Sequence, residues 1–430
     1  TISVPLGLQF GSTPGNIINR SFVKDSTGDN VGLQVPSGEN LALVGGDVSF
    51  EAGEATAKGG NIEIGGLGAA GEVTFNDDGS LNFPLDVAKA DISLSNAADV
   101  DASGIGGGNI TINARNLDLT AGQFGRSLIR TGIRPESISN EAQAGDVNVN
   151  VKDELTLDNS RISNQVFAEG IGNSGDINIT TGSLNAINGG DIDASTLGQG
   201  NAGSVNIVAR DIAFDGETPD GFGSGASSIV DVGAEGNTEG INISTNNLTL
   251  TNGGRVSTSR LGQGNAGQIN IIATENITAT GETSGSLPSG VFSQVNFGAV
   301  GDAGGIKISS NNLALTNGGS ISATTLGRGN AGAVEINATG NITFDGESSR
   351  SIPSGVFSQV NPGAVGNAGG VKIFTSNLTL SNGGRATSDT LGRGNAGVTN
   401  ITANGDISID GQNSMGFNSG VSSQVGDGAV

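Results

Sequence analysis

The chain of 430 residues contains no cysteine, no histidine, no tryptophan and no tyrosine. Without cysteine there are no disulfides, no thiolate metal sites and no thiol nucleophile. Without histidine the usual general base and the usual transition-metal ligand are absent. Basic residues are scarce, 19 against 42 acids, which leaves a net charge of −23 at pH 7. Such a chain is repelled by nucleic acid and by anionic membrane surfaces. No stretch approaches the ~18 consecutive apolar residues of a transmembrane helix. Neither nucleic-acid binding nor membrane insertion is therefore expected. The first residues, TISVPLGLQF, show no basic region and no cleavage site of a signal peptide.

What the chain has in excess is glycine, 75 residues, and the glycines keep time. The phrase GNAGSVNI at 200–207 returns as GNAGQINI at 264–271, GNAGAVEI at 329–336 and GNAGVTNI at 394–401. Counted from Asn201, Asn265, Asn330 and Asn395, the copies lie 64, 65 and 65 residues apart. A fixed period of this kind announces a stacked repeat. Within it an I/V-x-I pair recurs, as in Ile110/Ile112, Val147/Val149, Ile177/Ile179, Val205/Ile207 and Ile241/Ile243. From the second pair on, the spacing alternates between about 28 and about 37 residues. The 65-residue repeat is thus two turns, one short and one long.

A short turn such as 304–331 reads as three strands, IKIS, NLALTNGG and SISATTLG, with Ile306, Ile308, Leu313, Leu315, Ile321 and Leu326 as the inward set. Alternation of period two with one buried face is what a strand on a packed core requires. No apolar period of 3.6 runs beyond one turn, which argues against long helices. The predicted fold is all-β, a three-faced parallel β-helix. Residues 1–106 are less regular, with a hairpin leaving the stack near 76–90 and Asp78-Gly79 as its turn. The countable repeats run from 107 to 430. The last of them stops at DGAV where an earlier copy reads PGAVGNAGG, which reads as a stack cut in mid-turn.

Each long turn adds one ten-residue excursion: GETPDGFGSG (216–225), GETSGSLPSG (281–290), GESSRSIPSG (346–355) and GQNSMGFNSG (411–420). Each carries one large apolar residue at its seventh position, Phe222, Leu287, Ile352 and Phe417. Two readings compete: each tip folds back over the rung beneath it, or the four form an exposed binding stripe. One corner carries a polar row of one residue per turn: Asn173, Asn201, Asn237, Asn265, Asp302, Asn330, Asn367 and Asn395. The expectation is a structural ladder bonded amide to amide along the axis. Asn-Gly at 188, 252, 317 and 382 marks a second corner.

Catalytic signals are weak. Asp99/Asp101 and Asp191/Asp193 are i, i+2 pairs that point to one side of a strand, but they do not recur in later turns and read as a solvated face. No EF-hand or calcium-repeat motif is present, so no cofactor is expected; acid pairs beside backbone oxygens are the one feature that points to Ca²⁺. The glycines of 104–108 lack the following helix that a phosphate loop needs.

The segment GLQVPSGENLALVGGDVSFEAG (32–53), with GGNIEIG (59–65) after it, resembles the end of the haemagglutination-activity domain of filamentous-haemagglutinin-like exoproteins. The repeats, such as LTLTNGGRVSTSRLGQGNAGQINI, resemble the cyanobacterial branch of that family. The resemblance implies a right-handed β-helix exported by a dedicated outer-membrane β-barrel transporter. It also implies a secreted or surface-held fibre, often an adhesin, whose partners are a host or neighbouring cell surface or glycan, or other fibres. The expected function is that of a structural or adhesive surface fibre without an active site. The alternatives are a carbohydrate-binding or carbohydrate-processing groove, and a passive spacer for a distal domain.

Overall fold

The computed structural model describes residues 6–24, 32–76, 80–84, 86–426 and 429, and these form strands and turns without a helix. Almost all pairing is parallel and joins one turn to the next. A 19-stranded sheet and a 13-stranded sheet carry it. The three expected faces are present, but two of them share the larger sheet. Strands such as Ile110–Thr120, Val147–Asp158 and Ala202–Asp215 run across both faces in one piece. They bend where the register shifts, for example between Ala114 and Asn116. The third face is the 13-stranded sheet, built of short strands such as Asp99–Asp101, Arg161–Val166, Asp191–Asp193 and Arg255–Ser257.

The N-terminal end departs from the stack. Gly7–Phe10 pairs antiparallel with Gly71–Phe75, which pairs in turn with Leu81–Asn82. The antiparallel strands thus lie at 71–75 and 81–82, where the sequence placed a hairpin near 76–90, and its expected Asp78-Gly79 turn lies outside the described residues. Leu67, Val73, Leu81 and Phe83 give these strands a small core of their own. Phe83 packs where Gly65 has no side chain: a Cβ there would sit 2.0 Å from the ring.

Inside the helix, like residues stack in columns. Ile177, Val205, Ile241, Ile269, Ile306 and Val334 are successive in-register partners on the first face. Column identity gives way where volume demands it. Ala186 faces Phe214 in the next turn, and Phe214 shares its turn with the small Ala226 on the third face, where Ala186 is matched by Ile192. Interiors hold near-crystalline density, so a large residue on one face calls for a small one across the core.

Of the inward set for 304–331, Ile306, Ile308, Leu313, Leu315 and Ile321 are at most 1% exposed. Leu326 is a correction: it is half-exposed. Period two decides it, because Ile321, Ala323 and Thr325 point inward and residue 326 must point out. The true inward column there is Val166, Thr196, Val230, Arg260, Val295, Thr325, Val360 and Thr390, linked turn to turn by single bridges. Arg260 replaces a threonine in it. Its side chain is fully buried, and Nη1 and Nη2 have no hydrogen-bond partner. Burial pulls its guanidinium down to about 10, against the field of Asp302. Asp302 is the one acid in the asparagine row, so a departure at one column is answered by a departure at its neighbour.

The row bonds amide to amide at three steps, Asn237 Nδ2 donating to Asn201 Oδ1 at 3.3 Å, Asn367 Nδ2 to Asn330 Oδ1 at 3.1 Å and Asn395 Nδ2 to Asn367 Oδ1 at 3.0 Å, but what recurs at every step is a backbone donor. Asn173 Oδ1 accepts the backbone N–H of Asn201 at 2.9 Å, Asn201 Oδ1 that of Asn237 at 2.9 Å, and Asn237 Oδ1 that of Asn265 at 2.7 Å. Asn265 Oδ1 accepts from Asp302, Asp302 from Asn330, Asn330 from Asn367, and Asn367 from Asn395. An acceptor is all the position needs, which is why Asp302 can stand in it. The preceding glycines, not the asparagines, take the positive φ: 130° at Gly200 and 122° at Gly264. At the second corner the expectation holds, with φ 50–52° at Asn188, Asn252, Asn317 and Asn382. An unbroken amide ladder lies on the outward positions Asn148, Asn178, Asn206, Asn242 and Asn270, at 2.9–3.0 Å per step.

Two stability outcomes follow. Phe214→Ala, which leaves a void beside Ala226, is expected to cost about 3–5 kcal/mol in chemical denaturation; a loss below ~1 kcal/mol would contradict the packing described. In a double-mutant cycle, Asp302→Asn is expected to destabilise wild type but not the Arg260→Thr variant. A coupling of about 0.5 kcal/mol or more is expected from the electrostatic interaction alone, and independent effects would refute the compensation.

Candidate functional site

The outward side of the third face forms the floor of a groove. In-register pairing stacks Asp101, Arg130, Ser163, Asp193, Ser227, Ser257, Phe292 and Ser322 in one column. A parallel column carries Leu128, Arg161, Asp191, Gly225, Arg255, Gly290 and Ser320. The aspartate pairs, read from sequence as a solvated face that does not recur, are thus brought together with arginines over four consecutive turns. Arg130 bridges Asp99 at 2.6 Å and Asp101 at 3.2 Å, and Arg134 reaches Asp101 at 2.5 Å. Arg161 lies 3.0 Å from Asp191 and 3.8 Å from Asp193. The spacing of about 28 to 37 residues between turns hid this cluster.

The carboxylates differ in commitment. Asp193 accepts from Gln165 Nε2 at 2.5 Å, from the Ser195 hydroxyl and from Ser227 Oγ at 3.2 Å. Burial pushes Asp191 up to about 6 against the pull of Arg161, with Asp193 adding to the rise. Asp99 is likewise pushed up to about 6 by burial, beside Asp101. Beyond Asp193 the strand positions turn to Ser227, Ser257, Ser259, Phe292 and Gln294, while Asp220 and Asp231 line the groove from the neighbouring corners. Arg255 lies among them, its Cζ 4.3 Å from the Phe292 ring centroid. Among the described residues no group of three or more acids converges to hold a metal ion.

The excursions wall one side. Each closes on itself through an antiparallel bridge: Glu217 with Gly223, Glu282 with Pro288, Glu347 with Pro353, and Gln412 with Asn418. The third residue caps the turn: Thr218 Oγ1 accepts from Phe222 N and Thr283 Oγ1 from Leu287 N, both at 3.0 Å. Ser348 and Asn413 do the same for Ile352 and Phe417. Successive excursions are joined, since Glu217 Oε1 accepts from Ser284 N, Glu282 Oε1 from Ser349 N and Glu347 Oε1 from Ser414 N, each at 2.9 Å. The tips face solvent: Phe222 is 70% exposed, Leu287 43%, Ile352 37% and Phe417 53%. A second apolar crest, absent from the sequence reading, rises on the corners that follow the third face, with Val232 and Phe297 exposed. Beneath the first two excursions, from Arg126 and Asn159 to Gln294 and Asn296, lies a groove of about 870 Å³.

The antiparallel sheet at the N-terminal end and the turns that follow it belong to a known type. Residues 1–112 match the TPS secretion domain. The chain carries the secretion domain of a two-partner secretion exoprotein. Exoproteins of this system are secreted and depend on a partner transporter in the outer membrane. No curated protein and no solved structure matches the exoprotein. The domain match ends at Ile112, within the strand Ile110–Thr120, so the secretion domain runs into the repeats through a shared sheet. The groove lies beyond it. No helix of the exoprotein, among the described residues, is long and apolar enough to cross a membrane.

The floor has a pH signature. Asp191 titrates at about 6 in the folded exoprotein and near ~3.9 unfolded, so folding takes up a proton between those values. The group's contribution to stability falls as pH rises through that window and stays low above it. Asp191→Asn is therefore expected to gain on wild type as pH is raised from ~4 to ~7, followed by denaturation midpoints. A difference that does not change with pH would show that Asp191 is not raised.

Proposed function

We propose that the chain is the fibre of a secreted adhesin, held at or released from the cell surface, and that it binds carbohydrate in the groove of its third face. The carrying observation is the groove's composition: apolar crests at Phe222 and Leu287 stand over a lining of hydroxyl, amide, guanidinium and carboxylate groups. Ligand sites combine apolar walls with a few convergent polar groups in this way. The secretion domain supports the extracellular setting. The repeat phrasing supports a cyanobacterial exoprotein with a right-handed helix, and the excursion row offers a flank on which fibres could also meet.

Binding is favoured over turnover because Asp193 is spent on three donors and on Arg161, and Asp191 is paired with Arg161. One observation supports carbohydrate processing as a second reading: a carboxyl near 6 two residues from another is the kind of acid that glycoside hydrolysis uses.

The test is a glycan array probed with the purified chain, with and without Ca²⁺. Saturable binding to some glycans is expected. The Phe222→Ala/Leu287→Ala variant should lose that binding while keeping the wild-type denaturation midpoint, because both side chains face solvent. Absence of binding by a folded, β-rich chain would leave the spacer role. Loss of stability in the variant would mean the tips serve the fold, and shortened products on incubation with a bound glycan would favour processing.

A further inference from the structure

The arginines of the groove floor are not equivalent. Arg130, Arg134 and Arg161 each face aspartates. Arg126 is spent on the carbonyls of Asn159, Ser160 and Gly189, at 3.3, 3.4 and 2.7 Å. Arg255 has no carboxylate partner among the described residues, and its Nε is buried without a hydrogen bond. Burial pulls its guanidinium down to about 10, with no acid opposing the fall. Its ring contact with Phe292 fixes the plane of the fork without neutralising it. In its own column the turns before and after present Gly225 and Gly290, so no side chain covers it along the groove. Phe222 and Leu287 flank the same space.

The arrangement recurs. Arg255, Gly290, Ser320, Gly355 and Arg385 follow one another in register. Arg385 also has a buried Nε without a partner, and Gly420 follows it. Its Nη2 donates to the Asn418 carbonyl at 3.4 Å, and its Cζ lies 5.7 Å from the ring centroid of the excursion tip Phe417. The two guanidinium groups are four turns apart, roughly 19 Å at the ~4.8 Å strand spacing. A half-buried guanidinium without a counter-charge is costly to keep and matches a carboxylate two bonds at a time.

We propose that the groove takes an acidic oligosaccharide, one of whose sugar carboxylates pairs with Arg255, and that a chain long enough to run past the end of the groove along the same column places another, four turns along, on Arg385. The inference rests on the carbohydrate reading of the groove and names the class of sugar. The chain's overall negative charge does not oppose it, because charges beyond ~8 Å are screened at physiological ionic strength. Of the acids lining the groove, Asp191 and Asp193 are already bound to Arg161, while Asp220 and Asp231 add negative charge that the ligand's pairing with Arg255 must outweigh.

The experiment is calorimetric titration of the full chain with a uronic-acid oligosaccharide and with its carboxyl-reduced, otherwise identical counterpart. The acid form is expected to bind at least about tenfold more tightly, with an affinity that falls as salt is raised. Arg255→Gln should bring it down to the level of the reduced form. Arg255→Lys, which keeps the charge but not the fork, should recover part of the loss, and Arg385→Gln should weaken only oligomers long enough to reach it. Equal binding of the two forms by wild type, or an unchanged preference in Arg255→Gln, overturns the acidic class and leaves a neutral-sugar groove standing. Failure of wild type to bind either form, together with silence on the glycan array, overturns the groove reading itself.

Discussion

The structure depends on a side-chain oxygen supplied where the backbone has none. Stacked turns sit about 4.8 Å apart, and on the flat faces each N–H meets a carbonyl of the next turn. At the corner before the first face that exchange is incomplete. Asn201 gives its own carbonyl to Ser174 N, but its N–H points to the turn before, where Asn173 Oδ1 receives it. Repeated at every turn, this spares a row of backbone donors from going unpaired. The close approach also explains the glycine beside each asparagine: a Cβ at Gly200 would lie 1.8 Å from the Gly172 carbonyl. The repeated phrase is therefore a statement about corners, and the strands between are interchangeable runs of Ile, Val and Leu.

If corners are where the backbone is rebuilt, they are also where residues can be added without disturbing the core. The excursions use the same device as the ladder. Thr218 accepts the N–H of Phe222, Ser224 Oγ accepts that of Gly189 in the turn before, and Glu217 accepts that of Ser284 in the next excursion. The wall of the groove is a second ladder, attached to the first through the sheet, and it holds apolar tips in water where unbonded loops would collapse. Glu217, Glu282 and Glu347 sit at the same place in their excursions, which explains why the length of ten residues does not vary.

The architecture was legible because inward side chains recur at period two and turns recur at a countable interval. Ile306 and Leu313 obey both rules. Leu326 is the more hydrophobic of two neighbours, but parity places the buried hydroxyl of Thr325 inward and turns Leu326 out. The row of tips was legible for the same reason as the core, a large residue at a fixed position. The charged floor was not. Asp101, Arg130, Ser163 and Asp193 form one column only after three strand registers are known, and the early turns that carry them are the least regular. The column held no constant residue, so periodicity had nothing to detect. Asp302 looked like a harmless variant of asparagine, and only the buried Arg260 beside it gives the change a cause.

Two arginines five residues apart separate what the fold needs from what it merely allows. Arg260 points inward, where any misfit is felt by both neighbouring turns, and the chain answers it internally with Asp302. Arg255 points outward, into a column where glycine, serine, aspartate and arginine are all accepted, so packing did not select it. No described residue neutralises it, although Asp191 stands only two turns away in the same column and serves Arg161 instead. An uncompensated charge is costly in the core and tolerable in a groove, and its persistence there has a physical rationale only if the neutralising group arrives from outside. The fold accounts for Arg260 and leaves Arg255 over, and a binding site is the kind of place where such a remainder is found.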